Sequence, residues 1–271
     1  MTLKNKIDFA VIFRVKNANP NGDPLNGNRP RITFDNLGEV SDVCIKRKIR
    51  NRLMEKGIPI FVQSDDNRVD EHENLRKRAE ATLPKKGSSK EISKSACGAW
   101  MDVRAFGQVL AFSGKSKGEG VSIGVRGPVS IHPAFSIEPV EVVSNQITKS
   151  VSSEGDGSKK GADTMGMKHR IESGIYVFYG SMNPQLASRT GFSQEDAGVF
   201  KEILPHLFEN DASSARPEGS MEVLKVIWWE HNCPAGQKSS AKIHRSLIVK
   251  SSGEIDFEDV DGPQPEILDG F

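Results

Sequence analysis

Five cations fall within the seven positions from Lys46 to Arg52, namely Lys46, Arg47, Lys48, Arg50 and Arg52. Only Asp42 and Glu55 stand close enough in sequence to neutralise them, so the segment is expected to keep unpaired positive charge. Lys46 and Arg50 are four apart and share a face if the segment is helical. Mobile cations on such a face hold phosphates, and the same pattern also serves as an ordinary solvated helix face. Residue types alone leave both readings standing.

Upstream lies Asn17-Ala-Asn-Pro-Asn-Gly-Asp-Pro24, a dense turn sequence followed by Arg29 and Arg31. It is no nucleotide-binding P-loop, because no Gly-Lys-Ser/Thr follows. Asn19, Asn21 and Gly22 would let a sugar-phosphate chain approach closely, with Arg29 and Arg31 supplying charge. On the residues alone, a purely conformational turn is the simpler reading. A third segment, Met165-Gly-Met-Lys-His-Arg170, could wedge Met165 between bases while Lys168 and Arg170 hold phosphates, although an ordinary surface loop needs fewer assumptions.

Catalytic chemistry finds less support. The six histidines are scattered, and neither H-E-x-x-H nor G-x-S-x-G occurs. Asp23, Asp35 and Asp42 lie near the basic segment and could hold a divalent ion for phosphodiester cleavage, but turn and cap roles explain all three more simply. No cofactor or metal ligand set is expected.

The elements that must position these residues follow from periodicity. Ile7, Phe9, Val11, Phe13 and Val15 alternate, which predicts a strand with one face on a core. Ser41 or Asp42 caps a helix carrying Ile45, Ile49 and Leu53 on its core side, and Gly57 with Pro59 ends it. Residues 62–98 read as a polar insertion with a short helix around 71–81 and too few large apolar residues for its own core. Trp100–Gly107, Val121–Ile131 and Glu138–Ile147 read as β structure, and 148–166 as a long projecting loop or hairpin tip. Lys168–Gly180 is a further strand, whose aromatic residues belong to the core. Ser193–Phe208 is a second helix with Ser193 and Asp196 as its capping box. Met221–Glu230 is a strand whose Trp228 and Trp229 face opposite ways, and Ile243–Lys250 adds a hairpin arm. Strand, helix, strands, helix, strand is the α+β order of a ferredoxin-like or RNA-recognition-motif fold with its helices on one sheet face.

Composition bounds the rest. The 271 residues carry 37 Lys+Arg against 36 Asp+Glu. Residues 1–131 hold 24 basic and 15 acidic residues (net +9), and 132–271 hold 13 and 21 (net −8). Such a split suits a polyanion on one face, or identical copies stacked with plus against minus; chance imbalance on a solvated surface is the plainer alternative. Beyond Lys250 there is no cation, and seven carboxylates in a Gly/Pro-rich stretch predict a mobile tail. No run approaches the roughly 18 apolar residues of a membrane span, and the start lacks a signal-peptide pattern, so a cytoplasmic protein with no membrane partner is expected. Cys44, Cys97 and Cys233 lie far apart and read as reduced structural thiols.

Taken together, these motifs carry a resemblance. Asn17–Pro24 with Pro30-Arg31, then Asp102-Val-Arg-Ala-Phe-Gly107, Gly124-Val-Arg-Gly-Pro128, Met165-Gly-Met-Lys168 and Gly174-Ile-Tyr-Val-Phe178 closely resemble the Cascade backbone subunit of CRISPR subtype I-C. That is the Csd branch of the seventh CRISPR-associated protein family, and the resemblance runs collinearly over roughly residues 5–250. It implies an α+β modified RNA-recognition-motif (ferredoxin-like) palm over residues 1–250. It further implies a finger-like insertion at 62–98, a thumb hairpin at 146–168 and an acidic tail at 251–271 outside the match. The implied activity is non-catalytic: several copies line up along one CRISPR RNA and leave guide bases free to pair with target DNA, in company with other type I-C Cascade subunits. Lys46, Arg47 and Arg50 match the family's basic helix under the guide phosphates, and Met165 with Lys168 matches the end of the thumb. Related backbone subunits of type III complexes cut bound RNA with a loop aspartate, which makes Asp23 or Asp35 the candidate in a metal-dependent ribonuclease alternative.

Overall fold

A computed structural model describes residues 1–84, 87–112, 121–148 and 165–271. The alternation at the start forms β1 (Ile7–Ala18). The turn sequence folds into a small hairpin of β2 (Gly22–Asp23) and β3 (Arg29–Pro30), and β4 (Leu37–Val40) leads into helix α1 (Asp42–Glu55). Helices α2 (Leu75–Thr82), α3 (Ser89–Ala99) and α4 (Met101–Phe106) follow, then hairpin β5 (Gly107–Phe112)–β6 (Val121–Arg126). Strands β7 (Val129–Ile131), β8 (Ala134–Pro139), β9 (Val142–Thr148) and β10 (Met165–Met182) precede α5 (Pro184–Thr190) and α6 (Gln194–Ile203). The chain ends with β11 (Met221–Glu230), α7 (Ser240–Ser246), β12 (Leu247–Val249), β13 (Ile255–Phe257) and β14 (Glu266–Asp269).

A central antiparallel sheet runs β14-β11-β1-β10-β8-β4, with β7 and β9 also on β10. The expected α+β composition is present, but the sheet is covered on both faces. On one side Phe9, Phe13 and Phe178 pack with Ile45, Ile49 and Leu53 of α1 and Phe200 of α6. On the other, Ala10, Ile12, Ile227 and Trp229 pack under Ile243 and Leu247. One strand therefore buries consecutive residues, and Trp228 and Trp229 are both buried on opposite faces. The cover on the second face is the segment after Glu230. Part of the arm expected at 243–250 is helix α7, whose Ser239 cap accepts a hydrogen bond from the Lys242 amide.

The stretch after Lys250 is folded onto the body rather than being a mobile tail. β13 pairs with β12, and β14 extends the sheet beside β11 in the register Lys225↔Asp269 to Trp228↔Glu266. Lys201 and Lys225 hold Glu266 and Asp269 at 2.6 and 2.8 Å.

As its composition predicts, the insertion does not build a core from its own residues alone. Phe61, Ala79, Leu83, Ala96, Cys97, Trp100, Val103, Leu110 and Ile123 form a separate cluster that draws residues from beyond both ends of 62–98. Residues 101–106 are helical where a strand was expected. Met101, Val103 and Ala105 alternate as in a strand, but Met101 and Ala105 reach the main core while Val103 serves the insertion, so the short helix is buried on two sides. Gly107 ends it at φ 81°, where a Cβ would sit 2.3 Å from the Val125 carbonyl oxygen. Beyond Ile171, the last residue of β10 to pair with β1, strands β9 and β10 run on as a two-stranded arm. The expected tip at 149–164 and Lys85-Lys86 lie outside the described residues.

Candidate nucleic-acid interface

Helix α1 starts as its sequence predicts: the Ser41 side chain accepts from the Cys44 amide. Its cations are mostly paired, contrary to the local count of carboxylates. Lys46 lies 2.9 Å from Asp42, Arg50 Nε donates to Asp102 at 2.9 Å, Lys48 pairs with Asp211, and Arg52 pairs with Glu55 and reaches Glu209 at 3.7 Å. Three of those partners come from distant chain, which local sequence reading has no means to see. Lys48 and Arg52 are only 4% and 6% exposed, so neither can reach a ligand without moving. Arg47 makes no ion pair among the described residues, and its Nη1 is buried without a partner. Burial first, and Arg50 second, hold its guanidinium pKa below the ordinary value. The Phe106 ring receives Lys46 and Arg50 at 5.9 and 5.3 Å, a cation–π contact.

The Asn-rich turn is ordered by its own side chains. Asn21 Oδ1 accepts from the Ser41 amide (2.9 Å) and hydroxyl (2.8 Å), which fixes the cap of α1. Gly22 has no room for a Cβ, which would lie 2.0 Å from Asn28 Oδ1. Asn19 is buried; its amide nitrogen donates to the Asn28 carbonyl at 2.7 Å, and its Oδ1 has no partner. These three residues therefore build the loop rather than line its surface. Arg29 is exposed and makes no ion pair among the described residues, whereas Arg31 lies 3.6 Å from Asp23 with its Nε buried and unpartnered. Arg31, Lys48 and a residue the sequence did not single out, Arg216, all act on the Cys44 thiol, yet burial outweighs them and raises its pKa. The turn, the start of α1 and the loop of Arg216 thus meet in one region.

The arm separates what the sequence grouped. Strand alternation puts Met165, Met167 and His169 on one face and Lys168 and Arg170 on the other. Met165 and Met167 are 64% and 55% exposed, so the apolar face carries two methionines, of which only the first was singled out. His169 is buried with Nδ1 2.8 Å from the Ser144 hydroxyl. Of the carboxylates considered for metal, Asp23 accepts from the Leu25 amide and Asp42 is held by Lys46. Among the described residues no group of three or more His, Cys, Asp or Glu is placed to hold a metal ion.

Fold and site together define an α/β protein with a central antiparallel sheet, a projecting arm and a cation-edged turn region. The sequence pattern described as CRISPR-associated protein Cas7 matches residues 5–264, and the chain belongs to that family. It is 28% identical over 241 residues to a CRISPR-associated protein Cas7 of Haloferax volcanii, covering 83% of this chain and 71% of that protein. Among solved structures, a chain titled "CRISPR RNA-guided surveillance complex, pre-nicking" shares the fold, with TM-score 0.51 and 16% identity over 82% of this chain and 77% of that one. Another, titled "CRISPR RNA-guided surveillance complex", has TM-score 0.45 and 17% identity over 82% and 68%.

Proposed function

We propose that this chain is a CRISPR RNA-binding backbone subunit of a Cascade surveillance complex of subtype I-C, and that copies of it line up along one guide. The observation that carries the reading is the family match over residues 5–264. In this reading the sheet with α1 and α6 is a modified RNA-recognition-motif palm, the insertion with the cluster it shares is the finger, and β9 with β10 is the thumb. The subunit acts in the cytoplasm, without membrane contact, and alongside the other Cascade subunits. Its work is binding rather than catalysis: contact with phosphate and shape leaves the guide's bases to read target DNA by pairing.

The interface supports this with cations that keep some exposure: Arg29 and Lys168 are exposed, and Arg31, Lys46, Arg47 and Arg170 are partly so. The methionine face of the arm suits a wedge between bases. The test is to purify the chain with its transcript and measure the absorbance ratio, particle size and nuclease sensitivity. The expected result is a large particle holding guide-length RNA. A lone protomer that stays RNA-free with its transcript at low salt would overturn the proposal.

A further inference from the structure

The loop that follows Phe208 was not singled out by any motif, yet it is bolted to the interface at two points. Residues 213–216 close a tight turn in which the Ser213 amide donates to the Arg216 carbonyl at 2.8 Å and the Arg216 amide returns a bond to the Ser213 carbonyl at 3.1 Å. Inside that turn, the Ala215 carbonyl accepts from the Asn19 amide at 2.9 Å. Because Asn19 also donates through its side chain to Asn28, one buried residue staples the β2–β3 hairpin to this loop. The second point is Asp211, which is shared by Lys48 of α1 and by Arg216 Nε at 2.9 Å.

Two cations on one carboxylate leave one positive charge uncompensated. Lys48 is 4% exposed and the Arg216 side chain 26%, so the surplus faces solvent through Arg216. Across the staple stand Arg29 and Arg31, and Arg31 and Arg216 both lie close enough to bear on Cys44. A rigid arginine whose Nε is already held keeps its two terminal nitrogens for a second acceptor, and the fork of a guanidinium matches phosphate oxygens.

We propose that residues 211–219 are a second wall of the guide-binding cleft, in which Arg216 contacts a guide phosphate and Asn19 is a positioning residue that sets the spacing of the two walls. This rests on the RNA-binding reading above and adds a wall and a phosphate ligand to it. The test is binding of a guide-length single-stranded RNA to the full chain over a range of salt, comparing Arg216→Gln with Arg29→Gln. Removing one cation from the phosphates of a single strand lowers the log–log salt slope by about 0.7, and both variants are expected to show that decrease. A lowered slope for Arg29→Gln with an unchanged slope for Arg216→Gln overturns the second wall and leaves the RNA reading standing; unchanged slopes in both overturn the RNA reading itself. Should Arg216→Gln fail to fold, modification of wild-type arginines by phenylglyoxal decides the matter: RNA should protect Arg216, and equal modification with and without RNA refutes the assignment.

Discussion

Asp102 ties helix α1 to the start of the insertion, and its removal gives the sharpest test of how α1 is held. The carboxylate is 1% exposed. It accepts from the Phe61 amide at 2.7 Å, the Val62 amide at 3.0 Å and Arg50 Nε at 2.9 Å. Asp102→Ala strands a largely buried guanidinium, which costs about 3–5 kcal/mol when one partner of a buried pair is deleted. Two amides are also deprived of their acceptor, at about 1–3 kcal/mol each when left dry. Water entering the vacated space recovers part of this, so about 4 kcal/mol is expected, a large share of the roughly 5–15 kcal/mol that holds a folded domain. Asp102→Asn keeps one acceptor oxygen and should cost about half as much. Urea unfolding followed by circular dichroism measures both, and hydrogen exchange should rise at both the Phe61 and Val62 amides in the alanine variant and at only one of them in the asparagine variant. Pairing Asp102→Asn with Arg50→Met should cost less than the two changes added, because neither leaves the other's charge stranded. A destabilisation below about 1 kcal/mol for Asp102→Ala, with unchanged exchange, would refute the tie.

Other expectations follow from single side chains. Arg78 holds the Asp70 carboxyl pKa down to about 2 from 3.8; the folded value lies below the unfolded one, so the contribution is complete above about pH 4 and disappears as pH falls toward 2. The stability cost of Asp70→Asn should therefore be constant from about pH 5 to 7 and vanish by about pH 2, as denaturant midpoints at each pH will show. Gly38→Ala would place a Cβ 2.0 Å from Tyr176 Oη inside the core and should lower the melting temperature markedly, whereas Gly166→Ala on the arm meets nothing nearer than 3.5 Å and should not. Deleting residues 264–271 removes β14 and bares the edge of β11, so light scattering should report concentration-dependent association; a monodisperse, equally stable product would contradict the sheet order. Tyr176 Oη is buried without a partner, so Tyr176→Phe should leave stability unchanged or raise it by up to about 1 kcal/mol.

The parts of this fold legible in the sequence are those whose signal is local. The Ile45, Ile49 and Leu53 stripe with its serine cap announced α1, and alternation announced β1 and β10. What the sequence concealed lies in contacts between remote positions. The partner of Arg50 is 52 residues away and that of Lys48 is 163 away, so a count of nearby carboxylates necessarily overstated the free charge of α1. The cluster beside the insertion is not legible locally because its large apolar residues are contributed from both sides, with Phe61 before the insertion and Trp100, Leu110 and Ile123 after it. The final segment reads as mobile by composition, yet Phe257, Val260 and Leu268 are enough to seat it once both sheet faces are available.

The charge split between the two halves has a physical consequence for binding. Strand β1, from the basic half, lies between β10 and β11 of the acidic half, so folding itself brings plus to minus. Arg14 meets Glu222, Lys48 meets Asp211, Arg52 approaches Glu209, Lys56 meets Glu202, and Arg104 forks onto Asp196. Part of the asymmetry is thus satisfied within one chain, while exposed cations such as Lys4, Lys16, Arg29, Arg126 and Lys168 make no ion pair among the described residues. Under the proposed function, a single copy with few phosphate contacts binds weakly and with a shallow salt slope, because each contact adds only about 0.7 to it. Under the proposed function, tight binding comes from a row of protomers on one strand, where each bound neighbour raises the effective concentration of the next contact. Pairing within the chain lowers what one protomer offers a polyanion, and under the proposed function it leaves the gain in affinity to assembly along RNA.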